Sequence, residues 1–154
     1  MQEPVQTEQI HLLRKSFEVV QRQRQIAALV FYRRLFELDP SLRPLFQTPI
    51  EQQAQKLIEM LELIVSLLEK SASLEAELRE LGARHEGYGV KEAYYPTVGR
   101  ALLDMLGEVL GPAWTPALRA AWVEFYGWVA NIMQSGARTE SRVQAGKKGA
   151  NPIY

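Results

Sequence analysis

Apolar residues recur every three or four positions in six successive stretches of this chain, and nowhere in the strict alternation that a half-buried strand requires. That periodicity sets the secondary structure before any single residue is weighed. Thr7 opens a first helix, with Ile10, Leu13, Ser16, Phe17 and Val20 on one face. A second runs from about Arg24 to Leu38 and carries Ile26, Leu29, Val30, Leu35 and Phe36. Asp39-Pro40 breaks it, because the residue before a proline is pushed out of the α conformation. Thr48-Pro49-Ile50-Glu51 reads as a helix start: an N-cap threonine, proline at the first helical position and glutamate three residues after the cap. That third helix bears Leu57, Leu61, Ile64, Val65 and Leu68. Ser73 is the expected cap of a fourth, and Pro96 lies near the start of a fifth with Val98, Leu102, Leu106 and Val109 inward. Thr115-Pro116 opens a sixth, whose Leu118, Trp122, Phe125, Val129 and Met133 share a face and which Gly136 is expected to end. The expected fold class is all-α.

Composition narrows what such a bundle can do. At 154 residues and 47% hydrophobic, the chain suits one domain with a substantial core. Eighteen Lys and Arg balance eighteen Asp and Glu, so there is no cationic field to gather nucleic acid or an anionic membrane. Absence of cysteine removes disulfides, thiolate chemistry and Cys-ligated zinc or iron–sulfur sites. The apolar runs are short and interrupted by charge, which argues against stable membrane insertion. Met1-Gln-Glu-Pro lacks the basic start and apolar core of a signal peptide, so a cytoplasmic location is expected. From Ala137 to Tyr154 the character changes. Arg138, Arg142, Lys147 and Lys148 outnumber Glu140, and Gly146, Gly149 and Pro152 oppose regular structure, so 137–154 reads as a flexible basic tail on a domain of residues 1–136.

One apolar stripe ends in a polar residue. Leu74, Leu78 and Leu81 are spaced by four and three, and His85 follows four positions later on the same face. Gly87 and Gly89 then stop the helix, leaving the ring at the mouth of a turn. Read from these residues alone, His85 is either a core histidine satisfied by a backbone carbonyl or a ligand to something large. His11 has Thr7, Glu8, Arg14 and Lys15 as helical neighbours and reads as solvated. Two histidines with no cysteine and no HExxH pattern do not suggest zinc. Glu59/Glu62 and Glu75/Glu77/Glu80 read as wet helix faces rather than acid–base pairs. Gly87-Tyr-Gly89 lacks the preceding strand of a phosphate loop, and Trp114, Trp122 and Trp128 fit a core better than a base-stacking platform.

Three segments in order carry a family resemblance over about residues 7 to 135. Phe31-Tyr-Arg-Arg-Leu-Phe36-Glu-Leu-Asp-Pro40-Ser-Leu-Arg-Pro-Leu-Phe46 resembles the second and third helices of globins. His85-Glu-Gly-Tyr-Gly-Val90 resembles the globin segment bearing the proximal histidine. Leu110-Gly-Pro-Ala-Trp-Thr-Pro-Ala-Leu-Arg-Ala-Ala-Trp122, with Tyr126-Gly127, is similar to the last turn and final helix of neuroglobins and single-domain bacterial globins. The resemblance implies a 3-over-3 helical sandwich around haem b, with His85 ligating iron through Nε2 and its Nδ1–H directed at the Leu81 carbonyl.

Carried onto this chain, the resemblance makes Phe46 and Val90 cofactor contacts and points Tyr32 at the opposite axial position. Where most animal globins place a distal histidine, helical spacing selects Gln53, which precedes the apolar Leu57 by four. Lys56 and Arg84 are the expected partners of the haem propionates. A glutamine amide is a poor iron ligand, so the ferrous state is expected to be mainly five-coordinate. Dioxygen taken up there gains partial negative charge, and donors from Tyr32 and Gln53 favour it over carbon monoxide. If each contributes about 1–2 kcal/mol, together they slow oxygen loss by about 30- to 1,000-fold. Slow release suits storage, scavenging or sensing rather than delivery. The alternative is a nitric oxide dioxygenase served by an external reductase, since no flavin or nicotinamide domain accompanies the helices. A haem-free helical interaction protein is the third reading. No catalytic residue is assigned.

Overall fold

A computed structural model describes residues 7–143, and the part of the expected tail from 144 to 154 lies outside the described residues. Among the described residues there is no strand. Six α-helices follow one another: α1 Thr7–Arg22, α2 Arg24–Leu38, α3 Ile50–Ser66, α4 Ser71–Gly87, α5 Tyr94–Leu110 and α6 Pro116–Val143, with 3-10 turns at Pro40–Leu45 and Gly111–Ala113. Each boundary has a local cause. The Asp39 carboxylate accepts hydrogen bonds from the Ser41 amide at 3.0 Å and the Ser41 hydroxyl at 2.6 Å, redirecting the chain into the first 3-10 turn. Beyond α4, Gly89 takes φ +98°, a left-handed conformation that side chains oppose. The Thr115 hydroxyl accepts from the Leu118 amide at 3.2 Å and caps α6.

The structure departs from several expectations. Pro49 stands outside α3 in an extended conformation (φ −55°, ψ 146°), and the Thr48 hydroxyl has no hydrogen-bond partner, so the helix starts without a side-chain cap. α4 begins at Ser71, two residues before the expected cap Ser73. Ile26 and Leu29 are exposed, because α2 turns Ala27, Phe31 and Leu35 inward instead, with Ala28, Val30 and Tyr32 also buried. Gly136 does not end α6, which continues to Val143, so residues 137–143 of the expected tail are helical.

The reason for that glycine lies in packing. α4 and α6 form the most extensive pairing, followed by α2 with α5 and α2 with α3. Where α4 crosses α6, a Cβ on Gly136 would fall 2.2 Å from the Arg79 carbonyl oxygen, and a Cβ on Gly82 1.9 Å from that of Met133. Only glycine lets the two backbones meet. α1 is tied to α6 by Ser16, buried on α1, whose hydroxyl accepts from Trp122 Nε1 at 2.9 Å while donating to the Leu12 carbonyl at 2.8 Å.

Candidate functional site

A largely apolar cavity opens between α2, α3, α5 and α6, with the end of α4 as one wall; it encloses about 950 Å³ of non-atom space, its mouth included. Phe31, Leu35, Phe46, Leu57, Ile64 and Val90 are among its lining residues, and His85 is the one imidazole there. Interiors are normally close-packed, so an apolar hollow of this kind is where a bulky apolar group would fit.

Four of the eight site residues read from the sequence, namely Phe46, Leu57, His85 and Val90, meet in this lining. His85 reaches it at the end of α4, only 5% exposed, and its Nδ1 lies 2.7 Å from the Leu81 carbonyl oxygen. That contact orients the ring and, with Nδ1 as donor, leaves Nε2 as the basic nitrogen. Burial lowers the imidazole to about 4, opposed by the Leu81 bond and reinforced by nearby Arg84. The ring is therefore neutral at ordinary pH, as a metal ligand must be. The Val90 amide bonds back to the His85 carbonyl at 3.0 Å, which brings Val90 onto the wall.

Tyr32 and Gln53 stand behind the lining rather than in it. Tyr32 is 1% exposed, and its ring lies edge-on to Phe46 with centroids 5.4 Å apart. Its hydroxyl donates a long hydrogen bond of 3.4 Å to the main-chain carbonyl of Gln53. Gln53 is fully buried, and neither its Nε2 nor its Oε1 has a partner. Left unpaired, such an amide costs about 1–3 kcal/mol. Burial pushes the Tyr32 phenol up, so it remains an O–H donor at any physiological pH.

Lys56 and Arg84 are brought together in a separate surface depression between α3 and α4, lined also by Met60, Glu77 and Leu81. Met60 lines the main cavity too, so the depression and the cavity share one wall residue. Arg84 lies 3.6 Å from Glu80 one turn back. Sequence reasoning missed three lining tyrosines. Tyr126 donates to the Tyr95 carbonyl at 2.7 Å, and both rings line the cavity with Tyr94. The available signal was Gly99, where an added Cβ would sit 2.6 Å from the Tyr126 ring. Burial pushes Tyr95 up to about 12, with Glu92 adding to it.

Comparison with known proteins places this arrangement. The family model described as Globin matches residues 29–133, more than half of the chain. The chain belongs to the globin family. This globin is 33% identical to a neuroglobin of Danio rerio over 139 residues, covering 81% of the chain and 87% of the relative. It is also 34% identical over 122 residues to a flavohemoprotein of Rhizobium meliloti, covering 75% of the chain but 30% of that longer protein. Among solved structures, an engineered carbene transferase and candidate nitric oxide dioxygenase from Rhodothermus marinus superimposes with a TM-score of 0.80 at 29% identity, covering 90% of this globin and 97% of its counterpart. A bacterial globin from Campylobacter jejuni, at 23% identity and TM-score 0.76, shares the fold, the all-α globin sandwich.

Proposed function

We propose that this globin binds haem in the central cavity, with His85 as the iron ligand, and takes up dioxygen reversibly on the opposite side, for storage, scavenging or sensing with slow release. The observation that carries the reading is a buried, neutral imidazole, fixed by the Leu81 carbonyl at 2.7 Å, on the wall of an apolar cavity. Family membership supports haem as the occupant, and haem b is the form proposed. The residues fit that group: the lining is apolar enough for a porphyrin, Phe46 and Val90 would contact it, and Lys56 and Arg84 at the neighbouring depression would pair with its propionates. When bound, haem supplies an iron atom that ligates diatomic gases.

What the chain adds is selectivity. Leu57 keeps the distal space dry, and Gln53 offers an amide whose donor has no internal partner to give up. Tyr32 holds its proton on a 3.4 Å bond that a closer, charged acceptor would displace. Because both groups stand behind the lining, each must turn toward the ligand, and the carbonyl that Tyr32 leaves belongs to the residue beside it. Both donors favour dioxygen, which accepts charge, over carbon monoxide. Purified protein supplied with haem should show a Soret band and a spectrum that cycles between two forms as oxygen is exchanged for argon. Failure to bind haem stoichiometrically would remove the proposal.

The second reading is a nitric oxide dioxygenase, favoured by the likeness to the Rhodothermus marinus protein and to the flavohemoprotein. In it nitric oxide, dioxygen and one electron give nitrate, the electron coming from an external reductase. Tyr32 and Gln53 would hold dioxygen in place for the encounter. Multiple-turnover consumption of nitric oxide with a reductant present distinguishes this reading from simple storage.

A further inference from the structure

We infer that Gly82 is a positioning residue for His85: the backbone crossing of α4 on α6 sets how far the imidazole projects into the cavity. The inference rests on the reading of His85 as the iron ligand.

A Cβ at Gly82 would lie 1.9 Å from the Met133 carbonyl oxygen, 2.5 Å from its carbonyl carbon and 2.6 Å from its Cα, where ordinary contact begins near 3.4 Å. All three obstacles are backbone of a helix that continues on both sides, so no side chain can swing aside. Both partners in the crossing are tied to the site. Met133 itself lines the cavity, and Gly82 follows Leu81, the residue whose carbonyl orients the His85 ring. His85 lies three residues further, less than one turn of α4. Any side chain at position 82 must lift this end of the helix by about 1 Å or more, and ring and acceptor would move together. A histidine–metal bond tolerates only about 0.2 Å. The crossing therefore acts on ligand distance and leaves the Nδ1 contact intact. Gly136, whose added Cβ would meet Arg79, supports the same crossing six residues before His85, and should affect the ring less.

The test uses the full haem-loaded chain. Gly82→Ala should lower the iron–histidine stretching frequency of the ferrous protein in resonance Raman spectra, and should speed haem transfer to a scavenger apoprotein by about 10- to 100-fold. Gly136→Ala should be destabilised comparably in denaturant unfolding but shift the stretch less. Gly127→Ala on α6, where an added Cβ meets nothing within 4 Å, should leave haem transfer within about twofold. The same change made in His85→Gly, with free imidazole supplied, decides the route: an untethered ligand does not depend on helix height, so Gly82→Ala should add little further haem loss there. An undiminished further loss in that background, or an unchanged stretch in Gly82→Ala alone, would overturn the inference. So would loss of helical circular dichroism in both Gly82→Ala and Gly136→Ala, since the crossing would then serve folding alone. Should His85→Gly keep its haem and an unchanged spectrum without imidazole, the ligand assignment itself fails.

Discussion

The distal role proposed for Tyr32 and Gln53 comes down to one hydroxyl and one amide. Tyr32→Phe keeps the ring against Phe46 and removes only the hydroxyl that now donates to the Gln53 carbonyl. If about 1.4 kcal/mol is lost with it, oxygen should leave roughly tenfold faster, with a smaller change for carbon monoxide. Gln53→Leu should act alike and also relieve a buried unpaired amide, so the apoprotein gains stability as oxygen retention falls. Because both donors would serve one bound ligand, the double variant should depart from additivity. Stopped-flow oxygen dissociation on the four proteins measures this, and unchanged rates in both single variants would remove them from the distal role. On the opposite side, His85→Ala should lose tight haem retention, read as loss of the Soret band on desalting. The imidazole was legible in the sequence because a polar residue interrupted an apolar stripe. Phe46, Leu57 and Val90 were legible through the family resemblance. That Tyr32 and Gln53 lie behind the lining was not, since side-chain direction is decided by packing from other helices. Nor was the bond from Tyr126 to Tyr95, which joins positions 31 apart.

At the scale of helices, a few cross-links hold the elements in place. Ser16 accepts the Trp122 indole proton at 2.9 Å inside the α1–α6 contact. Ser16→Ala leaves that N–H buried and unpaired, and should cost about 1–3 kcal/mol, seen as a lower midpoint with unchanged slope in urea unfolding. Helix existence was plain from the apolar spacing, and the bounds of α2 agree with expectation because Asp39-Pro40 stops it for a backbone reason. The errors share one origin. Gly136 looked like a stop by local propensity, yet contact with the Arg79 backbone requires a residue without Cβ in mid-helix, so tertiary packing overrides propensity. The rotation of α2 that exposes Ile26 and Leu29 is likewise set by its neighbours: fully buried Ala27 and Ala28 let other helices approach closely.

For the whole molecule, the buried imidazole couples folding to pH. His85 is held near 4 in the folded cofactor-free chain, against about 6.5 when unfolded. Below about 6.5 the unfolded state takes up a proton that the folded state refuses. Stability should thus fall as pH drops from 6.5 towards 4 and flatten below that, with a total of about 3 kcal/mol from this one group. The difference in unfolding free energy between the cofactor-free protein and His85→Gln across that window isolates it from the carboxylates. With haem in place and Gln53 unable to compete for iron, the unliganded ferrous protein should be mainly five-coordinate, and a low-spin six-coordinate spectrum would contradict the distal assignment. The cavity has one more consequence, and it concerns volume. Interiors normally leave little space for unfolding to reclaim, but the cofactor-free chain carries a hollow that water fills once the helices part. Compression therefore favours its unfolding. Loaded with haem, the same chain has that space occupied, so hydrostatic pressure should separate the two forms more cleanly than heat.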